Sequence, residues 1–360
     1  MMSPGSVVGT LVPVKLKSKL RERHVSMNVT HIYGPRTVQL SKSEAAVTCV
    51  LKNGAYYVDC FIQHYSKMGF RHIFFLDNGS SDETLSIIKQ YDNVSVFQSA
   101  LPISANQRLF KKYLAKCSIR GGWCLDADID EFFDFPFSDI IDLQQFLVYL
   151  NQNQYTAVVT HLLDMFSDRP LSYLTNERKE DVKAVYQYYD ISNVIKTDYR
   201  TAEIAVKYGN ANKLAGNETA LYWGGIRKTL YGNNCLLTKH SLFLPEAGID
   251  LFPHVHFANE ANVADVSCVM LHYKLTSNAM AVARQNQDNF TENSKMYGAF
   301  ISTLERESHR EIRQDTAKKF VSATDLTKFK FLVMSPVYEK YAMTSNMTDL
   351  PESISISGRN

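Results

Sequence analysis

The sequence predicts an α/β protein, a mostly parallel sheet with flanking helices followed by a helical C-terminal region. Three observations predict it. Short apolar, β-rich runs alternate with stretches of helical spacing from Ala45 onward. Strand and helix alternating at this spacing favour parallel strands joined by covering helices. Two polar clusters, Asp77–Asp82 and Asp126–Glu131, each follow directly on an apolar run. In parallel sheets ligands gather at the carboxyl ends of the strands.

The elements follow in order. Residues 1–43 have little periodicity and carry a basic stretch, Lys15–Arg23, which reads as a solvated N-terminal arm. Contact with an anionic membrane surface is the second reading of that stretch. Ala46-Val-Thr-Cys-Val-Leu51 is the first strand. Residues 54–69 are helical, with Tyr57, Phe61, Ile62 and Tyr65 on one stripe and Gly69 as the stop. Arg71–Leu76 is the second strand, and Ser81 or Asp82 can cap a helix over 83–91. Val94–Phe97 is the third strand, 104–118 a helix and Trp123–Leu125 the fourth strand. A helix over 139–149 and a strand over Tyr155–Leu163 come next. The polar stretch 170–220, with its charged run Glu177–Asp181, reads as an insertion. Helical segments are expected at about 278–306 and 309–342, and the Ser- and Asn-rich residues 344–360 as a flexible tail.

Composition narrows the function classes. The chain has 360 residues, 45% hydrophobic and 21% charged, as an ordinary globular protein does. A net charge of +2 gives no basic footprint for nucleic acid. None of the six cysteines forms a CxxC pair and most sit in apolar runs, so reduced, buried thiols are expected. Residues 1–25 lack the apolar core of a secretory signal, and no run reaches bilayer-spanning length. The expected location is the cytoplasm, with peripheral membrane contact through the arm as the alternative.

The chemistry centres on Trp123-Cys-Leu-Asp-Ala-Asp-Ile-Asp-Glu-Phe-Phe133. Four carboxylates at a strand end repel one another unless positive charge sits among them. A hard divalent cation takes oxygen ligands and leaves places for phosphate oxygens. A strand-end turn with solvated, helix-capping carboxylates is the alternative. An EF-hand is excluded, because position 6 counted from Asp126 is Glu131 and position 12 is Phe137. Asp77-Asn-Gly-Ser-Ser-Asp82 alone is a turn and a helix cap; its place at a neighbouring strand end makes it a ligand candidate. Trp223-Gly-Gly-Ile-Arg-Lys228 joins glycines to two cations and suits a diphosphate as well as a plain basic turn. His254-Val-His256 is a weak metal-pair candidate beside the commoner reading of buried, hydrogen-bonded histidines. The chain has no Walker loop, no GxGxxG and no GxSxG elbow.

Several stretches together carry a resemblance: Val50-Leu-Lys-Asn53, His64–Gly69, Phe75-Leu-Asp-Asn-Gly-Ser-Ser-Asp-Glu-Thr84 and Trp123–Phe132. Weaker support comes from Leu163–Leu171, Gly224–Lys228 and His272-Tyr-Lys274. In order and spacing the chain resembles the family-2-like glycosyltransferases of the GT-A fold, a Rossmann-like architecture, in the subgroup whose metal motif reads Asp-x-Asp-Glu-Phe. The likeness is dense over residues 45–135, patchy to about 300 and absent at both ends.

The resemblance implies a catalytic domain over 44–275, with a nucleotide-binding half (44–135) and an acceptor half (136–275), and a helical region over 276–343. It implies a UDP- or GDP-sugar donor, a glycan, lipid-linked or protein acceptor, and sugar transfer with inversion. Asn53, Asp77, Asn78 and Asp82 take the places that hold the nucleoside. Asp128 and Asp130 take the places that hold Mn²⁺ or Mg²⁺, with Asp126 as a shifted-register alternative and His272 as the histidine that completes the shell. Arg227 and Lys228 would neutralise the leaving diphosphate. Asp164 is the first choice for the base on the acceptor hydroxyl and Asp168 the second; a salt-bridge or capping role is the alternative for Asp164. One departure stands out, because the subgroup has Lys-Asn-Glu where this chain has Lys52-Asn53-Gly54. The rival functions are a metal-dependent nucleotidyltransferase and an inactive, sugar- or partner-binding protein of the same fold.

Overall fold

Among the described residues eleven strands form one central sheet, seen in a computed structural model. The residues described are 14–174, 181–216, 218–290, 294–307, 309 and 311–345. Expectations for residues 1–13, for 177–180 of the charged run and for the tail beyond 345 lie outside them.

In chain order the strands are β1 (Thr30–Tyr33), β2 (Ala45–Leu51), β3 (His72–Asp77), β4 (Val94–Gln98), β5 (Trp123–Asp126), β6 (Glu131–Asp134), β7 (Ala157–Asp164), β8 (Lys213–Leu214), β9 (Thr238–Phe243), β10 (Asn262–Val263) and β11 (Cys268–His272). Across the sheet they run β1-β4-β3-β2-β5-β9-β7-β10-β8, and β11 pairs with both β7 and β6. The pairs β4-β3, β3-β2 and β2-β5 are parallel, as are those of β7 with β10 and β11, while the edge strand β1 is antiparallel to β4. Strand β9 is antiparallel to both β5 and β7. The sheet is therefore mixed and mostly parallel.

The main helices are α1 (Val14–Met27), α2 (Val58–Met68), α3 (Ile103–Ser118), α4 (Leu143–Gln152), α5 (Ile226–Tyr231), α6 (Ala279–Asn289), α7 (Ser294–Glu307), α8 (Ala323–Lys328) and α9 (Pro336–Ser345). Every residue of β2 is buried. Its odd positions, Ala45, Val47, Cys49 and Leu51, join the core that α2 and α4 cover. Its even positions Ala46 and Val50 join the core under α1 and α3. A period-two strand covered on both faces reads as a continuous apolar run. Gly69 ends α2 in the left-handed region (φ 97°), where glycine carries no steric penalty.

Two regions differ from the sequence reading. Much of the arm is ordered structure. Helix α1 docks on α3 through a Lys112–Glu22 ion pair of 2.8 Å and an Arg21 hydrogen bond to the Ala105 carbonyl, with Val25 buried between them. Strand β1 then closes the sheet edge. The helix expected over 309–342 is broken, because Ser322 caps the separate α8 and Pro336, which lacks a donor, opens α9. All six cysteines are free. No helix among the described residues is long and apolar enough to cross a membrane.

Candidate active site

Strand β5 is buried throughout and ends at Asp126. The chain then leaves the sheet for Ala127–Asp130 and returns as β6. This short excursion brings Asp128, Ile129 and Asp130 to the floor of a cleft of about 240 Å³. The cleft lies at the carboxyl ends of β2 and β5. Asn53, Lys52, His272 and Lys274 also line it, and α6 faces them across it.

Register sets the next layer. Strand β11 places His272 opposite Glu131 of β6 on one side and opposite Asp164 of β7 on the other. Cross-strand neighbours share a face of the sheet, so these three side chains form one row. Asp164 accepts from His272 Nδ1 at 2.5 Å with one oxygen and from Arg227 Nε at 2.7 Å with the other. Burial would raise the Asp164 pKa; the Arg227 charge and the His272 contact outweigh it and hold it at about 2. His272 Nε2 faces Asp130 Oδ2 at 3.4 Å. Burial would lower the His272 pKa, and Asp130 and Asp164 together raise it. Burial would raise that of Asp130, and the His272 charge brings it down.

The acid cluster holds its own cations. Lys111 of α3 donates to Asp126 at 2.7 Å and to Asp128 at 2.8 Å. Lys239 of β9 donates to the other Asp128 oxygen at 2.9 Å and to Glu131 at 2.5 Å. Both ammonium groups are buried. Glu131 also accepts from the Asp128 backbone N–H at 3.0 Å, which fixes the loop. Burial would raise the Asp128 pKa, and the two lysines drive it well below the carboxylate range. Burial raises that of Asp126, whose Oδ1 has no hydrogen-bond partner.

The candidate residues separate into those on the cleft and those behind it. Asn53, Asp128, Asp130 and His272 line it. Asp82 lines a neighbouring cavity and accepts from the Ala55 and Thr84 backbones. Asp77 and Asn78 turn away from the cleft. Asp77 accepts from the Gly79 and Ser80 backbone and from Gln98, and Asn78 donates to the Ser99 and Leu101 carbonyls. They build the loop on which Ser80 and Ser81 meet Asn53. Arg227 is buried against Asp164 rather than open to a diphosphate. Gly224 and Gly225, at φ 82° and 63°, turn the chain into α5 and point Arg227 inward. Lys228 is exposed and outside the cleft lining. Asp164 has both oxygens engaged and is 5% exposed, so it is not free to take a proton from an acceptor. Asp168 is exposed on the segment after β7. His254 and His256 lie 5.6 Å apart on a hairpin, each held by a backbone group.

Lys111, Lys239 and Lys274 were missed as site residues. Lys111 had a readable signal, since it falls on the buried stripe of α3 with Leu114, Ala115 and Ser118. Lys274 stands two residues after His272, its ammonium 5.5 Å from the Tyr297 ring centre. Helix α6 closes the cleft at Asn53. Gln285 donates to the Lys52 carbonyl at 2.8 Å and accepts from the Asn53 amide at 3.0 Å.

One carboxylate oxygen and one imidazole nitrogen 3.4 Å apart suit two neighbouring ligands of a single Mn²⁺ or Mg²⁺. The Asp164 contact orients the ring so that Nε2 faces the cleft, the usual support for a metal-binding histidine. Among the described residues no group of three or more His, Cys, Asp or Glu side chains forms a closed ligand set.

No protein-family model matches the chain, and no curated protein matches it. Two solved complexes of glucosyl-3-phosphoglycerate synthase from Mycobacterium tuberculosis are similar to it. One holds Mn²⁺, UDP and glucosyl-3-phosphoglycerate, the other Mn²⁺, UDP and phosphoglyceric acid. Each is 14% identical with a TM-score of 0.25, and the match covers 33% of this chain. It spans less than half of those chains, 44% and 43%.

Proposed function

We propose that this protein is a metal-dependent glycosyltransferase that moves a sugar from a nucleotide-sugar donor to an acceptor hydroxyl with inversion. The observation that carries the reading is the Asp130–His272 pair on the cleft floor, backed by Asp164 and Arg227. Asp130 and His272 would hold Mn²⁺ or Mg²⁺, which when bound supplies Lewis-acid compensation for charge on the departing nucleoside diphosphate.

The chain's own residues do the rest. Asn53, held by Ser81 and Gln285, borders the nucleoside end of the cleft. Lys274 presents an ammonium to the diphosphate beside Asp130, the role first given to Arg227 and Lys228. Helix α6 narrows the cleft at Asn53 through Gln285. With Asp164 engaged behind His272, Asp168, exposed on the segment after β7 and outside the cleft lining, is the remaining candidate base for the acceptor hydroxyl.

The test is a panel of UDP- and GDP-sugars incubated with the protein and Mn²⁺. Release of nucleoside diphosphate, by transfer or slow hydrolysis, is the expected result. Pyrophosphate release from nucleoside triphosphates, with no turnover of any sugar nucleotide, would establish the nucleotidyltransferase instead.

A further inference from the structure

Lys111 and Lys239 reach Asp128 from opposite sides, one from a helix and one from a strand of the sheet. Each Asp128 oxygen contacts an ammonium, and each lysine also engages a further carboxylate, Asp126 or Glu131. Two cations thus serve three carboxylates in a pocket where both lysines are nearly inaccessible, at 1% and 3% exposure. A divalent ion bound to either Asp128 oxygen would stand within ~5 Å of the ammonium sharing that oxygen, given usual metal–oxygen distances. The Asp128 side chain is 34% exposed on the cleft, but both ammonium groups behind it are buried, so water screens their repulsion of a second cation only in part. Asp130, two residues on, pairs with His272, whereas the ion pairs of the two lysines go to Asp126, Asp128 and Glu131.

We propose that Lys111 and Lys239 restrict the acid cluster to one divalent cation, held by Asp130 and His272, and keep Asp128 out of its coordination shell. This rests on the metal-site reading above and changes the part given to Asp128, from ligand to a fixed carboxylate beside the ion. The lysines are positioning residues: they act through Asp128, Asp126 and Glu131 and do not line the cleft.

The test is direct Mn²⁺ titration of the full chain, followed by electron paramagnetic resonance. Wild type is expected to bind one ion. Asp128→Asn should keep that affinity within about threefold, whereas Asp130→Asn and His272→Ala should weaken it at least about tenfold. Lys239→Met and Lys111→Met release carboxylates and should admit a second ion, while Lys239→Arg and Lys111→Arg should stay at one. Where a methionine variant does not fold, the Asp128→Asn titration decides alone. Two ions on wild type, or loss of the single ion in Asp128→Asn, overturns the inference. One ion dependent on His272, with no turnover of any sugar nucleotide, leaves the inference standing and removes the glycosyltransferase reading.

Discussion

Asp164 and His272 lie opposite each other on adjacent parallel strands, and the histidine Nδ1 meets the carboxylate at 2.5 Å. The contact makes Asp164 the residue that aims the imidazole at the cleft. Asp164→Asn is expected to weaken Mn²⁺ binding about 10- to 100-fold, the usual loss when a histidine's supporting carboxylate goes. Titration of Mn²⁺ against the folded variant checks this. A base acting on the acceptor would instead lower kcat and leave Mn²⁺ affinity unchanged.

Arg227 and Lys274 should separate cleanly. Arg227→Met leaves Asp164 buried without its cation, and removing one partner of a buried pair costs about 3–5 kcal/mol. Urea unfolding should show that loss, with donor KM little changed in the protein that remains folded. Lys274→Met should do the reverse. Stability holds, and donor KM rises about 10- to 100-fold, as for one charge-assisted contact.

Acid should destabilise the protein through its buried histidines. Burial, with Lys196 and His240 nearby, pushes His161 down to about 3, and burial pushes His240 down to about 4. Unfolded histidine titrates near 6.5, so below that pH the unfolded chain binds more protons. Stability therefore falls as pH drops from about 6.5 toward 4, by up to about 1.4 kcal/mol per pH unit for each histidine. His272, raised in the folded state, acts with the opposite sign, and its contribution is lost as pH rises. Urea midpoints across about pH 7 to pH 5 test this. His161→Phe, which keeps a ring stacked on Tyr222, should flatten the slope by about one proton.

Gly54 packs against the Asp128–Asp130 loop. A Cβ at Gly54 would lie 3.1 Å from Ile129 Cγ1, between the two aspartates. Gly54→Glu, which restores the carboxylate common in the resembling subgroup, should press on Ile129 and weaken Mn²⁺ binding. Adding Ile129→Ala should recover part of the loss. Equal Mn²⁺ affinity in Gly54→Glu and wild type would separate the two positions.

What the sequence revealed followed from local pattern. β2, β3 and α2 were readable because their apolar periods are set by burial within one element. Asp128, Asp130 and His272 were readable as residue types at strand ends. The partners of Asp164 and Asp128 were not, because sheet topology sets them. Arg227 and Lys239 are 63 and 111 residues from the carboxylates they meet. Trp223-Gly-Gly-Ile-Arg-Lys228 looked like a diphosphate loop because glycines beside cations do not show which way the chain turns. The left-handed glycines turn Arg227 inward. The arm looked solvated because α1 has a weak apolar face and docks largely through one ion pair, one hydrogen bond and one buried valine.

Sugar transfer is proposed to depend on the Asp130–His272 pair. The most direct test is Mn²⁺-dependent release of nucleoside diphosphate from UDP- and GDP-sugars by wild type, Asp130→Asn and His272→Ala under one set of conditions. Wild type should turn over at least one donor, chelator should stop it, and both variants should fall at least about 100-fold in kcat/KM while keeping the fold. Turnover that survives in both variants, or no turnover by a wild type that binds Mn²⁺ through this pair, would contradict it.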